Sequence, residues 1–318
     1  MQTVVVAGGS GFIGFHLCQD LLAKGYRIIC IDNLITSKKE NITSLTANPN
    51  FIIKVHDITE QIIIDEPIHY IFHLASPASP NKKSPHSYIN HPIETLLANS
   101  LGSYKLLELA KLHKAAYLYA SSSEVYGDPA ISPQNEQYFG NVNPIGIRSV
   151  YDEGKRFGEA ITMAYVRTYD LNARCVRIFN TYGPRMQRDD GRVVSNFITQ
   201  ALSNENITVY GNGKQTRSLC YVSDMIIGIQ RAMFASETKG QVINLGNPDE
   251  RSVDQLALII KQIVGSTSEI IYEQLPDDDP KVRKPDITRA KQLLHWQPVI
   301  TLEEGLNKTI EYFRQQKE

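Results

Sequence analysis

Tyr151 and Lys155 are four residues apart in a segment that reads as helix, so both side chains stand on one face, one turn apart. A phenol is a poor base near neutrality, with a pKa of about 10. A neighbouring ammonium favours the phenolate and lowers that value. The pair can therefore take the proton from a hydroxyl while a hydride leaves the same carbon. Upstream, Ser122, Ser123 and Glu124 add two hydroxyls and a carboxylate. A Tyr and a Lys at this spacing also arise by chance, so the reading rests on the elements that must position them.

The N-terminus supplies such elements. Thr3 to Ala7 is a short β-branched run that reads as a buried strand. Gly8, Gly9, Gly11 and Gly14 punctuate the turn that follows, with Phe12 and Ile13 opening an amphipathic stretch to about Lys24. Strand, glycine turn and helix form the context of a dinucleotide fingerprint, whose amides meet a pyrophosphate at the positive end of the helix. A second strand at Ile28 to Ile31 ends at Asp32, 21 residues after Gly11. A carboxylate there accepts hydrogen bonds from ribose hydroxyls and repels a 2′-phosphate, which favours NAD over NADP. With this turn in place, Tyr151, Lys155 and the Ser-Ser-Glu run read as a site that oxidises a sugar hydroxyl with a nicotinamide cofactor.

Strand-like and helix-like segments alternate through the first half. Further strands are expected at 51–55, 70–74, 117–120 and 173–178, and helices at 93–113 and 151–169. This predicts an α/β protein of Rossmann type: a doubly wound parallel sheet with a smaller C-terminal α/β substrate domain. Residues 1–180 form the cofactor domain and 181–318 the substrate domain, with a segment around 221–246 returning to the first. Ligands of such sheets bind beyond the carboxyl ends of the strands. The serines after residue 120 fall at such an end.

Bulk composition narrows the classes. The 318 residues are 42% hydrophobic, enough for a core, and carry a net charge of -1, so no whole-chain field recruits nucleic acid or an anionic membrane. No apolar run approaches the ~18 residues of a membrane span. Met1 leads straight into the first strand, leaving no room for a signal peptide. Cys18, Cys30, Cys175 and Cys220 are scattered and read as buried hydrophobes. These features predict a cytoplasmic protein. His69 and His73 have the spacing of a helical zinc pair, but the segment reads as strand, which sets them about 13 Å apart, so no metal is expected. The acidic run Asp277, Asp278 and Asp279 reads as a solvated loop.

Longer strings carry a resemblance. Residues 74–80 (LASPASP), 123–129 (SEVYGDP), 143–146 (NPIG), 151–156 (YDEGKR), 177–186 (RIFNTYGPRM), 190–198 (DGRVVSNFI) and 284–287 (KPDI) resemble signatures of the UDP-glucuronate decarboxylases, also called UDP-xylose synthases, within the extended short-chain dehydrogenase/reductases. The similarity spans essentially the whole chain. It implies that Tyr151 removes the C4 hydroxyl proton while NAD accepts the hydride. The C4 ketone, β to the C6 carboxylate, then loses carbon dioxide, and the hydride returns. It further implies that Lys155 tunes Tyr151, that Ser122 contacts the C4 oxygen, and that Ser123 and Glu124 orient the sugar and manage the C5 proton. NAD would be held by Gly8, Gly11, Phe12, Ile13, Gly14, Asp32, Asn33, Asp57, Ile58, Leu74, Ser76 and Thr95, besides Tyr151 and Lys155. The UDP-sugar would meet Asn180, Arg192, Tyr210, Gln215, Arg217 and Arg283. In this family two helices from each subunit pack in a homodimer. Here the segments 93–113 and 151–169 carry apolar Leu97, Leu101, Ile161 and Tyr165.

The sequence departs from that pattern in two places. Ser-Thr-Ser-Glu is expected and Ser121-Ser122-Ser123-Glu124 stands there. The loop at 81–87 is about five residues longer than expected, and Glu94 occupies the place of a lysine. A 4-epimerase or a 4,6-dehydratase shares the first oxidation, and a non-catalytic nucleotide sensor would share the fold.

Overall fold

The computed structural model describes residues 1–274 and 282–316; the acidic run at 277–279 lies outside them. Seven parallel strands form the central sheet: β1 (Thr3–Ala7), β2 (Arg27–Asp32), β3 (Phe51–Val55), β4 (Tyr70–His73), β5 (Ala116–Ser122), β6 (Ala173–Ile178) and, after four short strands, β11 (Val242–Leu245). Their order is β11-β6-β5-β4-β1-β2-β3, so the winding reverses between β1 and β4. A ligand crevice opens at such a reversal. Residue 242 pairs with Cys175, so the chain re-enters the sheet after leaving it at 178.

Alternation along the strands gives each face its own core. Val4, Val6, Phe72, Leu118 and Val176 point to one face, while Val5, Ala7, Ile71, Tyr117 and Cys175 point to the other. The first face is covered by α1 (Phe12–Ala23) and α6 (Val222–Phe234), the second by α3 (Leu101–His113) and α4 (Ser149–Tyr169). All four cysteines are buried free thiols.

The expected helix at 93–113 is two helices. The segment α2 (Pro92–Asn99) ends at Ser100, where ψ is -78°, and α3 begins at Leu101. The Ser100 hydroxyl donates to the Leu96 carbonyl at 2.7 Å, a local bond that competes with regular helix and bends it. Gly102 then lets Ile58 pack against the start of α3, where an added Cβ would lie 2.6 Å from Ile58 Cδ1.

Beyond residue 180 the regular alternation stops, as expected, but six short strands replace the expected loops. They are β7 (Thr181–Tyr182), β8 (Ile207–Tyr210), β9 (Thr216–Ser218), β10 (Cys220–Tyr221), β12 (Glu250–Ser252) and β13 (Ile270–Glu273). They pair two by two as β10-β7, β12-β9 and β13-β8. Helices α5 (Val193–Leu202), α7 (Val253–Val264), α8 (Thr288–Leu294) and α9 (Leu302–Gln315) complete this half. Strands of two to four residues are too short to write a periodic pattern.

His69 and His73 serve the fold. His69 Nδ1 accepts the Thr3 amide at 3.1 Å, and His73 Nε2 lies 3.1 Å from Ser103 Oγ. Burial drives the His73 imidazole down to about 3, so it is neutral.

Candidate active site

The loops after β1, β4, β5 and β6 open on one cavity of about 690 Å³, closed on its far side by residues 190–217 and Arg283. Two glycines fix its floor. Gly8 turns at φ +80° with Ala75 N only 2.7 Å from where a Cβ would stand. Gly14 lies so close under Gly8 that a Cβ would meet its carbonyl oxygen at 2.1 Å. The N-terminus of α1 is thereby brought against β1, presenting Gly11, Phe12, Ile13 and Gly14 to the cavity.

Tyr151 and Lys155 sit in the first turns of α4 and both line the cavity. The Lys155 ammonium donates to the Ala120 carbonyl at 2.9 Å and lies 5.4 Å from the Tyr151 ring centroid. The expected lowering of Tyr151 by Lys155 is not what this geometry gives. Burial pushes the phenol up to about 12, only partly offset by a hydrogen bond from Ser122. Burial also brings Lys155 down to about 7, against the pull of Glu159. The chain alone therefore holds Tyr151 as a phenol, and positive charge brought by a ligand favours the phenolate.

The end of β5 delivers the serines. Ser121 lines the cavity and donates to Glu159 at 2.6 Å. Ser122 caps the short turn Ser123–Tyr126 by accepting the Glu124 amide at 3.3 Å. Ser123 and Glu124 face the cavity. The Glu124 carboxylate is clamped by two arginines: Arg148 Nη2 at 2.7 Å and Arg283 Nη2 at 3.0 Å. Burial raises this carboxyl, but Arg283 and Arg148 outweigh it and hold it at about 2. Glu124 is thus an acceptor at neutral pH. Arg148 escaped the sequence reading, although its place three residues before Tyr151 sets it on the same helix face.

Arg283 is 3% exposed, well removed from a solvated surface charge. Its segment is fixed by Gln134, whose amide donates to the Lys284 carbonyl at 2.8 Å and whose carbonyl accepts from Asp286 N at 2.8 Å. Asn180, Arg192, Tyr210, Gln215 and Arg217 all line the same cavity. Asp190 orients Arg192 with a two-point contact at 2.5 and 2.8 Å. Gln215 reaches the Tyr210 carbonyl at 2.5 Å.

The expected cofactor residues divide. Gly11, Phe12, Ile13, Gly14, Leu74 and Ser76 line the cavity, whereas Gly8, Asp32, Asn33, Asp57, Ile58 and Thr95 do not. Asp32 holds the turn together, accepting from Ser10 N at 3.0 Å, Leu34 N at 2.9 Å and Ser37 Oγ at 2.9 Å. Asn33 donates to Asp57 at 2.9 Å. Asp57 also accepts from the Thr59 hydroxyl at 2.7 Å. Ile58 is buried, and the buried Thr95 spends its hydroxyl on the His91 carbonyl at 2.7 Å. The long loop reaches the site: Asn81, Lys82, Lys83, His86 and Tyr88 line the cavity, while Glu94 is exposed and does not. Tyr88 lies face to face on Tyr151, a contact no sequence spacing announces.

A glycine cradle at a helix N-terminus, a strand-end acid and a buried Tyr-Lys pair are what a nicotinamide dinucleotide requires, and the residues present fit it. The model of the NAD dependent epimerase/dehydratase family matches residues 4–246. The UDP-glucuronic acid decarboxylase 1 of Xenopus tropicalis is 49% identical over 317 residues, covering 100% of this chain and 73% of that protein. The UDP-glucuronic acid decarboxylase 2 of Arabidopsis thaliana is 48% identical over 312 residues, covering 98% and 68%. Among solved structures, the UDP-glucuronic acid 4-epimerase of Bacillus cereus in complex with UDP-glucuronic acid and NAD superposes with a TM-score of 0.86 at 27% identity, covering 99% of each chain. This chain belongs to the NAD dependent epimerase/dehydratase family, and within it to the UDP-glucuronic acid decarboxylases.

Proposed function

We propose that this chain converts UDP-glucuronate to UDP-xylose and carbon dioxide, with NAD leaving the cycle as it entered. The observation that carries the reading is one cavity in which Tyr151 and Lys155 face Arg192, Arg217 and Arg283. A hydroxyl-proton acceptor at one wall and cations at the other suit a sugar that carries a diphosphate and a carboxylate.

Bound NAD supplies the acceptor for the C4 hydride and its later donor. Tyr151 takes the C4 hydroxyl proton and returns it when the ketone is reduced. Ser122, which hydrogen-bonds Tyr151, holds the C4 oxygen. Lys155 stabilises the phenolate, and Ser123 orients the sugar. Oxidation at C4 leaves a ketone β to the C6 carboxylate, and such an acid sheds carbon dioxide into an enolate. Glu124 and Arg283 act as one buried pair beside the sugar. Residues 1–180, with the segment around 221–246, serve NAD, and the remainder of 181–318 serves the nucleotide sugar.

The expected protein partner is a second copy. Ile93, Leu97, Leu101, Tyr104 and Phe157 are exposed apolar residues of α2, α3 and α4, in keeping with a homodimer face. Tyr165 does not belong to that face, because it is buried and bonded to Glu108. Among the described residues no helix is long and apolar enough to cross a membrane. Four free buried thiols suit a cytoplasmic protein.

Product analysis tests the reaction. Purified protein with NAD and UDP-glucuronate should release carbon dioxide, form UDP-xylose and leave no net NADH. Formation of UDP-galacturonate without carbon dioxide would make the chain a 4-epimerase.

A further inference from the structure

The loop between β4 and α2 touches two walls of the cavity. At one of them Tyr88, 1% exposed, lies on Tyr151, with ring centroids 4.9 Å apart and planes 10° apart. Among the described residues the Tyr88 hydroxyl has no hydrogen-bond partner, so the ring and not the oxygen makes this link. At the other wall Ser79 Oγ donates to the Asp190 carbonyl, and Asn81 Nδ2 donates to the Gly191 carbonyl at 3.2 Å. Gly191 turns at φ +85°, and an added Cβ there would lie 2.6 Å from Asn81 Cβ. The carboxylate of Asp190 in turn grips Arg192, the next residue but one.

Between these contacts the loop is cross-tied. Tyr88 N and Ser87 Oγ both donate to the Ser79 carbonyl, at 3.0 and 2.9 Å. Asn90 Nδ2 donates to the Lys82 and Ser84 carbonyls at 2.9 and 2.8 Å, and His91 Nε2 lies 2.9 Å from the Pro85 carbonyl. The residues that make this loop long are thus bonded into its frame, and the frame joins the wall that carries Tyr151 to the wall that carries Arg192.

We propose that this loop is a brace that sets the proton acceptor against the substrate: Tyr88 is a positioning residue that fixes the ring of Tyr151, and Asn81 is a positioning residue that seats Arg192. The inference rests on the decarboxylase reading for the substrate and adds to it how the two walls keep their register. The hydroxyl hydrogen of a phenol lies in the plane of its ring, because the oxygen is conjugated with it, so the ring plane aims the proton transfer. The terminal torsion of a tyrosine is broad by itself, and a parallel ring held by a tied loop narrows it. The same ring closes one face of Tyr151, which is 7% exposed, against water. Asn81 works on Arg192 through the backbone of residues 190–191, so its effect falls on substrate binding, whereas that of Tyr88 falls on the hydride step.

The test compares wild type, Tyr88→Leu, Tyr88→Phe and Asn81→Ala in kcat and KM for UDP-glucuronate, and in the isotope effect of deuterium at C4. Tyr88→Leu keeps an apolar wall but loses the ring plane, and should lower kcat about 10- to 100-fold, the scale on which a misplaced reacting group costs rate. Its KM should stay within about twofold, since the lost contact serves the reacting step. The isotope effect on kcat should rise, because hydride transfer becomes slower relative to the other steps. Tyr88→Phe, which keeps the ring, should restore most of the rate. Asn81→Ala should raise KM about threefold or more while kcat holds, as loss of uniform binding does. NAD binding by calorimetry marks each variant as folded, and Tyr88→Met stands in if Tyr88→Leu does not retain it. A Tyr88→Leu kcat within about threefold of wild type overturns the proposal. So does an unchanged isotope effect, a Tyr88→Phe as slow as Tyr88→Leu, or an Asn81→Ala with wild-type KM. The wild-type control separates the two claims: no carbon dioxide from the wild type overturns the reaction, whereas normal wild-type turnover with an unaffected Tyr88→Leu overturns the brace alone.

Discussion

Tyr151 and Lys155 are both nearly excluded from solvent, and that exclusion moves the phenol to about 12 and the ammonium to about 7. The pairing of the two was legible from their spacing; their desolvation was not, because burial is a property of the assembled walls. Tyr151→Phe removes only the proton acceptor. It should retain NAD and UDP-glucuronate binding by calorimetry and lose about 10²–10⁴-fold in kcat; turnover near the wild-type rate would remove Tyr151 from the mechanism. Glu124 carries a pH signature of its own. Its folded-state pKa of about 2 lies below the ordinary carboxylate value of about 4.3. The stability it contributes is therefore fully present above about pH 4.3 and is lost as pH falls toward about 2. Thermal melts of wild type and Glu124→Gln should converge as the pH is lowered through that window, and parallel curves would show that the Arg148 and Arg283 clamp adds no stability. The sequence named Glu124 and Arg283 but not their contact, which spans 159 positions of chain.

The strongly patterned elements were the legible ones. β1, β3 and β6 run as read; β1 is the clearest, because a β-branched run buried along its whole length leaves a dense apolar signature. The break at Ser100 was hidden because apolar residues continue through it. The glycine turn was legible as a motif, and its geometry adds a part for Asp32. Its carboxylate ties Ser10, Leu34 and Ser37 together, so it shapes the turn. A carboxylate has about four acceptor sites, and three are used here, which leaves room for a ribose hydroxyl. Asp32→Ala should therefore weaken NAD binding and narrow its preference over NADP in parallel titrations. A wild type that binds NADP more tightly than NAD would contradict this account of β2. The long loop at 81–87 was legible as an anomaly near the substrate, but its Tyr88 was not, since nothing in the spacing links it to α4.

At the scale of the molecule, one cavity is lined by strand ends of the sheet, by Tyr151 and Lys155, and by residues 190–217 with Arg283, which add three arginines to it. Cations are thus gathered locally in a chain whose net charge is -1. The exposed apolar face of α2, α3 and α4 predicts self-association. Light scattering should give the mass of a dimer at micromolar concentration, and Phe157→Glu should shift it toward monomer; a wild-type monomer would leave that face without its expected occupant. The reach of the last 138 positions was the least legible part, since their strands are short and their pairings distant in sequence. The central claim is that one C4 hydride leaves and returns while the carboxylate is lost between. UDP-glucuronate carrying deuterium at C4, turned over with unlabelled NAD and followed by mass spectrometry, tests it directly. The account predicts UDP-xylose that has lost carbon dioxide and kept its C4 deuterium. A product that keeps its carboxylate, or a pentose whose C4 deuterium has been lost, would contradict it.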